Sequence, residues 1–173
     1  MSDQTDEGSQ GEAERREVPE WAAGDPLMEW YAMEVWGRRV EGDDALFEIM
    51  NLQIFQAGLN WRMILARRDA FRKAFHGWQI DRVADMGPQD VQRLTEDASI
   101  IRNRMKIEAC ISNASVIQDI QAQHDSFCAW FYDVLEGDDL GELQRTLHKT
   151  FKFIGPEIAR MWLLATGRIA DRD

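Results

Sequence analysis

The strongest constraint on the fold is the spacing of apolar residues, which recur every three or four positions in one segment after another. In the segment that follows Asp44 these residues are Leu46, Phe47, Met50, Ile54 and Phe55. This period matches one face of an α-helix, and no segment shows the apolar–polar alternation that is typical of a strand. The sequence therefore predicts an all-α fold whose helices are joined by short connections.

Local signals indicate where the predicted helices begin and end. We expect Asp43 and Asp44 to cap the first of them and Gly58 to end it. Asp81 is expected to cap a short helix, and Pro88 to lie in the first turn of the next one. Further helices are predicted over residues 61–75, 107–120, 126–135, 140–149 and 156–165.

Composition divides the chain into a tail and a domain. Residues 1–18 are acidic and polar, with no apolar cluster to anchor them, and we expect a disordered tail there. A helical domain is expected over residues 19–173. No apolar run approaches the roughly 20 residues that a membrane span needs, so no membrane partner is expected. The two cysteines form no CxxC pair, which suits a reducing compartment. We expect a monomeric cytoplasmic protein.

Charge is distributed unevenly along the chain. The net charge of −11 argues against DNA as a partner, because lysine and arginine are needed to neutralise phosphates. Residues 1–25, however, hold eight acidic side chains and two arginines, a net charge of −6. Residues 58–106 hold ten basic and six acidic side chains, a net charge of +4. The middle of the chain is therefore suited to weak, salt-sensitive DNA binding.

A polar hairpin is predicted at residues 99–106, between two apolar helices. It carries Arg102, Asn103, Arg104 and Lys106. The N–H groups that begin the second helix can face a phosphate, and the helix dipole favours an anion there. The basic side chains would add charge-assisted contacts. This pattern is compatible with a helix-hairpin-helix that binds a nucleic-acid backbone. The residues alone favour the alternative, an ordinary solvated turn, since the segment has no glycine in its turn.

Four aromatic residues fall within sixteen positions near the start of the predicted domain, and a fifth begins the predicted helix over residues 61–75. The set consists of Trp21, Trp30, Tyr31, Trp36 and Trp61. Enzymes that act on a flipped base stack it between such side chains, and an electron-rich ring also attracts a cationic purine. Aromatic residues are equally common in ordinary cores. We expect two of the five to line a pocket and three to belong to the core.

Gln53 stands near the end of the helix that Gly58 closes. An amide at that point can face a cavity and hydrogen-bond the edge of a base. Exposure to solvent is the alternative, and the spacing does not decide between the two. No metal site is expected, because His124 and Cys128 share a helical spacing but two ligands do not make a zinc site.

Four separated segments carry a resemblance to a known family. They are GDPLMEWYAMEVWG (24–37), LFEIMNLQIFQAGLNW (46–61), LTEDASIIRNRMKIEACISNA (94–114) and FKFIGPEIA (151–159). In their order and spacing they resemble the DNA-3-methyladenine glycosylase I family, within the helix-hairpin-helix glycosylase superfamily. The resemblance extends from Trp21 to about Gly167.

The resemblance implies a helical enzyme that flips 3-methyladenine out of double-stranded DNA and hydrolyses its N-glycosidic bond, with neither a lyase step nor a redox cofactor. By position, Tyr31 and Trp61 match aromatic residues of the family's base pocket, and Trp21 and Trp36 match tryptophans beside it. The turn at residues 58–59 matches the one that approaches the gap left by the flipped nucleotide. The hairpin matches the family's phosphate-binding hairpin.

The sequence departs from the family at several functional positions. Gln53 stands where the family has a pocket glutamate, and Met28 where it has a second pocket tyrosine. The family's structural zinc uses a Cys and a His that fall on Pro19 and Ala32, and its other ligands lie in a C-terminal segment without a counterpart here. We therefore expect no zinc and no other cofactor.

Three functions are compatible with these patterns. The first is a DNA glycosylase of base-excision repair, with reduced or altered base preference. The second is a catalytically weak or inactive homologue that binds damaged DNA, and the third is a protein-interaction module. The expected site consists of Gln53, Tyr31 and Trp61 as catalytic residues, Trp21, Trp36 and Met28 in the base pocket, and Gly58, Leu59, Arg102, Asn103, Arg104 and Lys106 at the DNA.

Overall fold

The computed structural model describes residues 16–137 and 139–171, and over these residues it contains helices and no strands. The all-α prediction is therefore confirmed. Most of the predicted tail lies outside the described residues. The helices are α1 (Pro26–Glu34), α2 (Asp43–Gln56), α3 (Trp61–Ala66), α4 (Arg68–Ala74), α5 (Ile80–Ala84), α6 (Pro88–Thr95), α7 (Arg104–Gln123), α8 (Phe127–Ala129), α9 (Leu140–Thr150) and α10 (Pro156–Ala165). In the described part of the chain, no helix is both long and apolar enough to cross a membrane.

Helix α2 lies at the centre of the fold. It packs against α3, α5, α7, α8 and α10. Nine of its fourteen residues are buried, including the apolar residues whose spacing predicted the helix. The same helix buries Asn51 and Gln53, which are polar. Because α2 is enclosed by other helices, its C-terminal end can bring a polar side chain to an internal cavity.

Two aspartates at the start of α2 cap other elements instead of their own helix. Gly42 occupies the N-cap position, and α2 itself begins at Asp43. The Asp43 carboxylate accepts hydrogen bonds from the backbone N–H groups of Phe127 and Cys128, at 3.0 and 2.9 Å. Asp44 accepts one from the N–H of Ile80 at 3.0 Å. The predicted capping of α2 is thus wrong, because these carboxylates satisfy the N–H groups at the starts of α8 and α5.

Two of the predicted helices are interrupted. The predicted helix over residues 61–75 divides at Arg67, whose φ of −97° and ψ of 8° leave the helical region. The predicted helix over 126–135 continues beyond α8 as a π-helical segment, Trp130–Val134, closed by a bond of 2.7 Å from the Leu135 N–H to the Trp130 carbonyl. The spacing of apolar residues does not reveal a break of a single residue, because the helical segments on both sides of the break keep a buried face. Asp81 lies inside the first turn of α5, whose N-cap is Gln79.

The predicted hairpin connects α6 to α7. Its interior is apolar, because Leu94, Ile100 and Ile107 are all buried. Helix α7 begins at Arg104, three residues before the predicted start, and Asn103 caps it by accepting a hydrogen bond from the N–H of Lys106 at 3.2 Å. The N-terminus of this 20-residue helix therefore lies at the surface with exposed polar residues around it.

Candidate active site

A cavity of about 270 Å³ lies between α1, α2, α3 and α10. Pockets for drug-sized ligands typically measure roughly 300–1,000 Å³, so this one suits a single heterocycle. It is lined by Trp21, Met28, Tyr31, Trp36, Gln53, Gln56, Trp61 and Met161. The structure thus brings together all six residues predicted as catalytic or pocket residues. Gln56 and Met161 were not predicted. Met161 lies on α10, and no motif near it in the sequence indicates that α10 reaches the cavity.

Tyr31 is the centre of the aromatic wall. Its ring centroid lies 5.1 Å from that of Trp61, 6.1 Å from that of Trp36 and 6.4 Å from that of Trp21. All three pairs are tilted or edge-to-face, an arrangement that aromatic quadrupoles favour. Trp21 is half exposed and forms the rim, whereas Tyr31 is buried. The rings therefore form an aromatic wall on one side of the cavity.

Four of the five aromatic residues line the cavity, so the expectation of only two was wrong. The exception is Trp30, which precedes Tyr31 on α1 and therefore points about 100° away around the helix. Its ring lies under the guanidinium of Arg68, 4.9 Å from the ring centroid. Trp30 lines a separate crevice with Arg68 on the other side of Tyr31 and Trp61.

Gln53 is only 1% exposed, which excludes the alternative of a surface residue. Its Oε1 atom has no hydrogen-bond partner, and the same is true of the Tyr31 hydroxyl and the Trp61 Nε1. A buried polar group without a partner costs about 1–3 kcal/mol. Indole N–H groups in the core, at Trp78 and Trp162, are also unpartnered. Tyr31 and Gln53 differ from these core tryptophans because they line the cavity, where a ligand could form the missing hydrogen bonds.

Burial raises the pKa of Tyr31 far above that of a free phenol. The side chain is therefore neutral at physiological pH and keeps its proton. A phenolic hydroxyl in this state can both donate and accept a hydrogen bond. Tyr31 can thus recognise a polar edge of a bound heterocycle as well as stack against it.

An ion pair between Asp25 and Arg62 fixes the two helices that carry Tyr31 and Trp61. Asp25 caps α1 by accepting hydrogen bonds from the N–H groups of Leu27 and Met28, at 3.0 and 3.4 Å. The Arg62 guanidinium, in the first turn of α3, donates to the same carboxylate. That contact holds the pKa of Asp25 below its usual value. The start of α1 and the start of α3 are thereby tied together beside the cavity.

The turn after α2 lies directly beyond the cavity wall. Gly58 is exposed and has a φ of 76°, a left-handed conformation that favours glycine. The Leu59 N–H donates to the carbonyl of Gln56 at 2.7 Å, and the Gln56 amide donates to the carbonyl of Leu59 at 3.2 Å. Because Gln56 also lines the cavity, the turn at residues 58–59 is coupled to the pocket.

Of the four hairpin residues predicted to bind DNA, three are exposed and one, a lysine, is buried. Arg102, Asn103 and Arg104 are exposed. Lys106 is only 6% exposed, and its Nζ donates to the carbonyls of Phe55 and Ala57 at 3.0 and 2.9 Å. The expectation that Lys106 contacts DNA is therefore wrong, because its ammonium group is committed to the C-terminal end of α2.

The positions of the family's zinc ligands do not fit a metal. Pro19 and Ala32 have no side-chain atom that could bind zinc, and Ala32 is buried. Among residues 16–137 and 139–171, no three or more His, Cys, Asp or Glu side chains are grouped so that they could hold an ion. Cys110 is buried, and Cys110 and Cys128 are both free thiols. At the start of the described residues, the Arg16 guanidinium donates a hydrogen bond to the Trp36 carbonyl at 3.0 Å.

Comparisons with known proteins agree with this geometry. Residues 21–150 match the methyladenine glycosylase family. DNA-3-methyladenine glycosylase 1 of Escherichia coli (strain K12) is 33% identical over 169 residues, which cover 87% of this chain and 90% of that protein. DNA-3-methyladenine glycosylase of Haemophilus influenzae is 24% identical, over 87% of this chain and 91% of that one.

Solved structures show the same likeness. A crystal structure of 3-methyladenine DNA glycosylase I superimposes with a TM-score of 0.82 at 30% identity, over 90% of this chain and 95% of that one. The enzyme from Staphylococcus aureus, in a structure concerned with 3-methyladenine recognition, gives 0.79 at 28% identity, over 86% and 88% of the two chains. The fold and the comparisons define the class of protein as a helical DNA glycosylase. The chain belongs to the methyladenine glycosylase family.

Proposed function

We propose that this protein is a DNA-3-methyladenine glycosylase, which flips an alkylated purine out of double-stranded DNA and hydrolyses its N-glycosidic bond. The observation that carries the proposal is the cavity of about 270 Å³ in which Tyr31, Gln53 and Trp61 come together. Its aromatic wall suits a flat purine, and its unpartnered polar atoms suit the purine's edge. The relatives that share the fold are named for this activity.

The DNA would lie across the exposed surface formed by the turn at residues 58–59 and by the hairpin. The N-terminus of α7 and the side chains of Arg102 and Arg104 would bind a phosphate there. Gly58 and Leu59 would approach the gap that the flipped nucleotide leaves. Lys106 would act from beneath this surface, since it joins the hairpin to the end of α2.

The chemistry of an alkylated purine explains why so few catalytic groups are needed. The base is cationic while it is attached to the sugar, so the electron pair of the breaking C1′–N bond neutralises it as it leaves. Water then adds to the sugar cation at C1′ and releases a proton. Tyr31, Trp61 and Gln53 would hold the base in the orientation from which this bond breaks. A neutral amide in place of a carboxylate weakens a hydrogen bond by roughly 1 kcal/mol, on the order of tenfold in rate.

Release of free base from methylated duplex DNA at low salt tests the proposal. We expect the wild-type protein to release 3-methyladenine and Trp61→Ala to lose most of this activity. Trp30→Ala is the matched control, because it also removes a tryptophan but one that lies outside the cavity. A wild-type protein that releases no base at any pH or salt concentration would refute the proposed activity.

A second candidate function is recognition of damaged DNA without excision. It is favoured by Gln53, whose amide can hold a base edge but brings no charge to a cationic leaving group. In that case the wild-type protein would bind a duplex with an abasic site and release no base, whereas Gln53→Glu would gain glycosylase activity. Base release by the wild type would eliminate this second candidate.

A further inference from the structure

Two residues of the pocket wall come from segments that are far apart in the sequence. Trp36 follows α1 by two residues, and Met161 lies on α10. The backbone N–H of Trp36 donates to the carbonyl of Tyr31 at 2.9 Å, which ties Trp36 to its own helix. The position of Trp36 relative to Met161 therefore depends on contacts between the residues after α1 and the end of α10.

The backbones of these two segments are in direct contact. The N–H of Gly37 donates to the carbonyl of Ala165 at 2.9 Å. Gly167 has a φ of 67°, and a Cβ at this position would lie 2.7 Å from the carbonyl oxygen of Gly37. A side chain at Gly167 would thus push the two segments apart. Gly37 directly follows Trp36, so this contact lies next to the pocket wall.

One phenolic hydroxyl joins the same two segments from a third element. Tyr132 lies in the π-helical segment Trp130–Val134. Its hydroxyl accepts a hydrogen bond from the N–H of Val40 at 2.8 Å and donates one to the carbonyl of Thr166 at 2.7 Å. The guanidinium of Arg39 covers the ring, 4.2 Å from its centroid. Both hydrogen-bond partners lie within three residues of the backbone contact, so the hydroxyl holds that contact closed.

We propose that Tyr132 is a positioning residue for base excision, which fixes Trp36 relative to Met161 by joining the two segments that carry them. The inference rests on the proposed function, because it concerns the geometry of the same pocket. Tyr132 is not among the described residues that line the cavity, so it acts through the backbone. Misplacement of a bound reactant by about 1 Å can cost roughly a hundredfold in rate, so a small shift of the wall matters.

Tyr132→Phe removes the hydroxyl and keeps the ring under Arg39. Single-turnover release of base from methylated duplex DNA, at saturating protein, measures the rate constant of excision. We expect this constant to fall on the order of tenfold. Affinity for a duplex with an abasic site should stay as in the wild type, because the turn at residues 58–59 and the hairpin are unchanged. A merely structural role would reduce the amount of folded protein and leave the rate constant unchanged.

Asn113→Leu is the matched control for the loss of two bridging hydrogen bonds. The amide of Asn113 accepts from the N–H of Lys152 at 2.8 Å and donates to its carbonyl at 2.9 Å. Asn113 is buried, and it does not line the cavity. We expect this variant to lose stability but to keep the rate constant. An equal fall in both variants would overturn the specific role of Tyr132.

Gly167→Ala tests the same contact without changing Tyr132. Its Cβ would force the carbonyl of Gly37 away, so base release should slow down. Gly77→Ala is the control, because Gly77 has a φ of 68° and its Cβ would meet no atom within 4 Å. The two variants carry a similar backbone strain, but only Gly167→Ala separates the segments. A wild-type rate constant in Gly167→Ala would overturn the control of the pocket by this contact.

Binding of free 3-methyladenine, reported by tryptophan quenching, separates this inference from the proposed function. We expect Tyr132→Phe and Gly167→Ala to bind the base more weakly than the wild type does. If the wild type releases base from DNA and both variants match it in rate constant and in binding, the inference alone fails. If the wild type releases no base, the proposed function fails, and weaker binding by the two variants still supports the positioning of the wall. If 3-methyladenine is neither released nor bound, both fail.

Discussion

The Nζ of Lys106 donates a hydrogen bond of 2.9 Å to the carbonyl of Ala57, the C-cap residue of α2. A second bond of 3.0 Å reaches the carbonyl of Phe55. Carbonyls at the end of a helix have no partner within the helix, and a cation there also interacts favourably with the helix dipole. Lys106 lies in the first turn of α7. One buried side chain thus joins the hairpin to the pocket helix.

Lys106→Met should destabilise the protein and loosen this connection. Methionine keeps much of the aliphatic stem but leaves the two carbonyls without their donor, so we expect a loss of about 1–3 kcal/mol in the free energy of unfolding. Base release should fall as well, with a weaker affinity for DNA. Urea unfolding and base-release kinetics measure the two effects. Lys149→Met, at an exposed position of α9, is the control and should change neither.

Arg102→Ala and Arg104→Ala should each weaken binding of a duplex that contains an abasic site. Each phosphate contact that is lost should lower the slope of log affinity against log salt concentration by about 1. Titrations at several salt concentrations measure that slope. Arg145→Ala removes an exposed arginine from α9 and should leave the slope as in the wild type. An unchanged slope in both hairpin variants would place the DNA elsewhere on the protein.

Sequence reasoning located the pocket because its residues lie in short segments with strong local signals. Tyr31 and Trp36 lie on or directly after α1, and Gln53 is two residues before Phe55 on an apolar helix. Family resemblance then indicated which of these positions belong together. Met161 was missed because it reaches the cavity only through the packing of α10 against α2.

Side chains that act across the fold could not be predicted in the same way. Lys106 was predicted to be an exposed basic residue because it follows Arg102, Asn103 and Arg104 in a polar segment of the sequence. Its burial depends on where the end of α2 lies, and no local spacing contains that information. Asp43 looked like the cap of its own helix for the same reason, whereas tertiary packing places the start of α8 against it.

The role of Asp43 predicts a pH-dependent contribution to stability. Burial by itself would raise the pKa of Asp43, but the hydrogen bonds from Gln121, Cys128 and Phe127 outweigh it and lower the pKa. A lowered folded-state pKa means stability that is present above the unfolded value of about 3.9 and is lost as the pH falls through the folded value. Asp43→Asn should therefore be less stable than the wild type near pH 7.

The difference in unfolding free energy between Asp43→Asn and the wild type should shrink as the pH falls below about 4. Chemical denaturation at a series of pH values measures it. Asp85→Asn removes an exposed carboxylate after α5 and serves as the control, with a much smaller effect. A difference that stays constant between pH 7 and pH 2 would show that the Asp43 charge does not contribute.

Substitution of Gly58, in the turn after α2, tests the DNA-facing surface, because a side chain there strains the backbone without causing a steric clash. A Cβ at Gly58 meets no atom within 4 Å, so only its φ of 76° opposes a side chain. A left-handed conformation costs a non-glycine residue roughly 1–2 kcal/mol. Gly58→Ala should therefore distort the turn and reduce both base release and affinity for abasic DNA.

Gly87 is the matched control, because its Cβ position is equally open but its φ of −116° suits any residue. Gly87→Ala should leave both properties unchanged, and equal losses in the two variants would rule out a specific role for the turn.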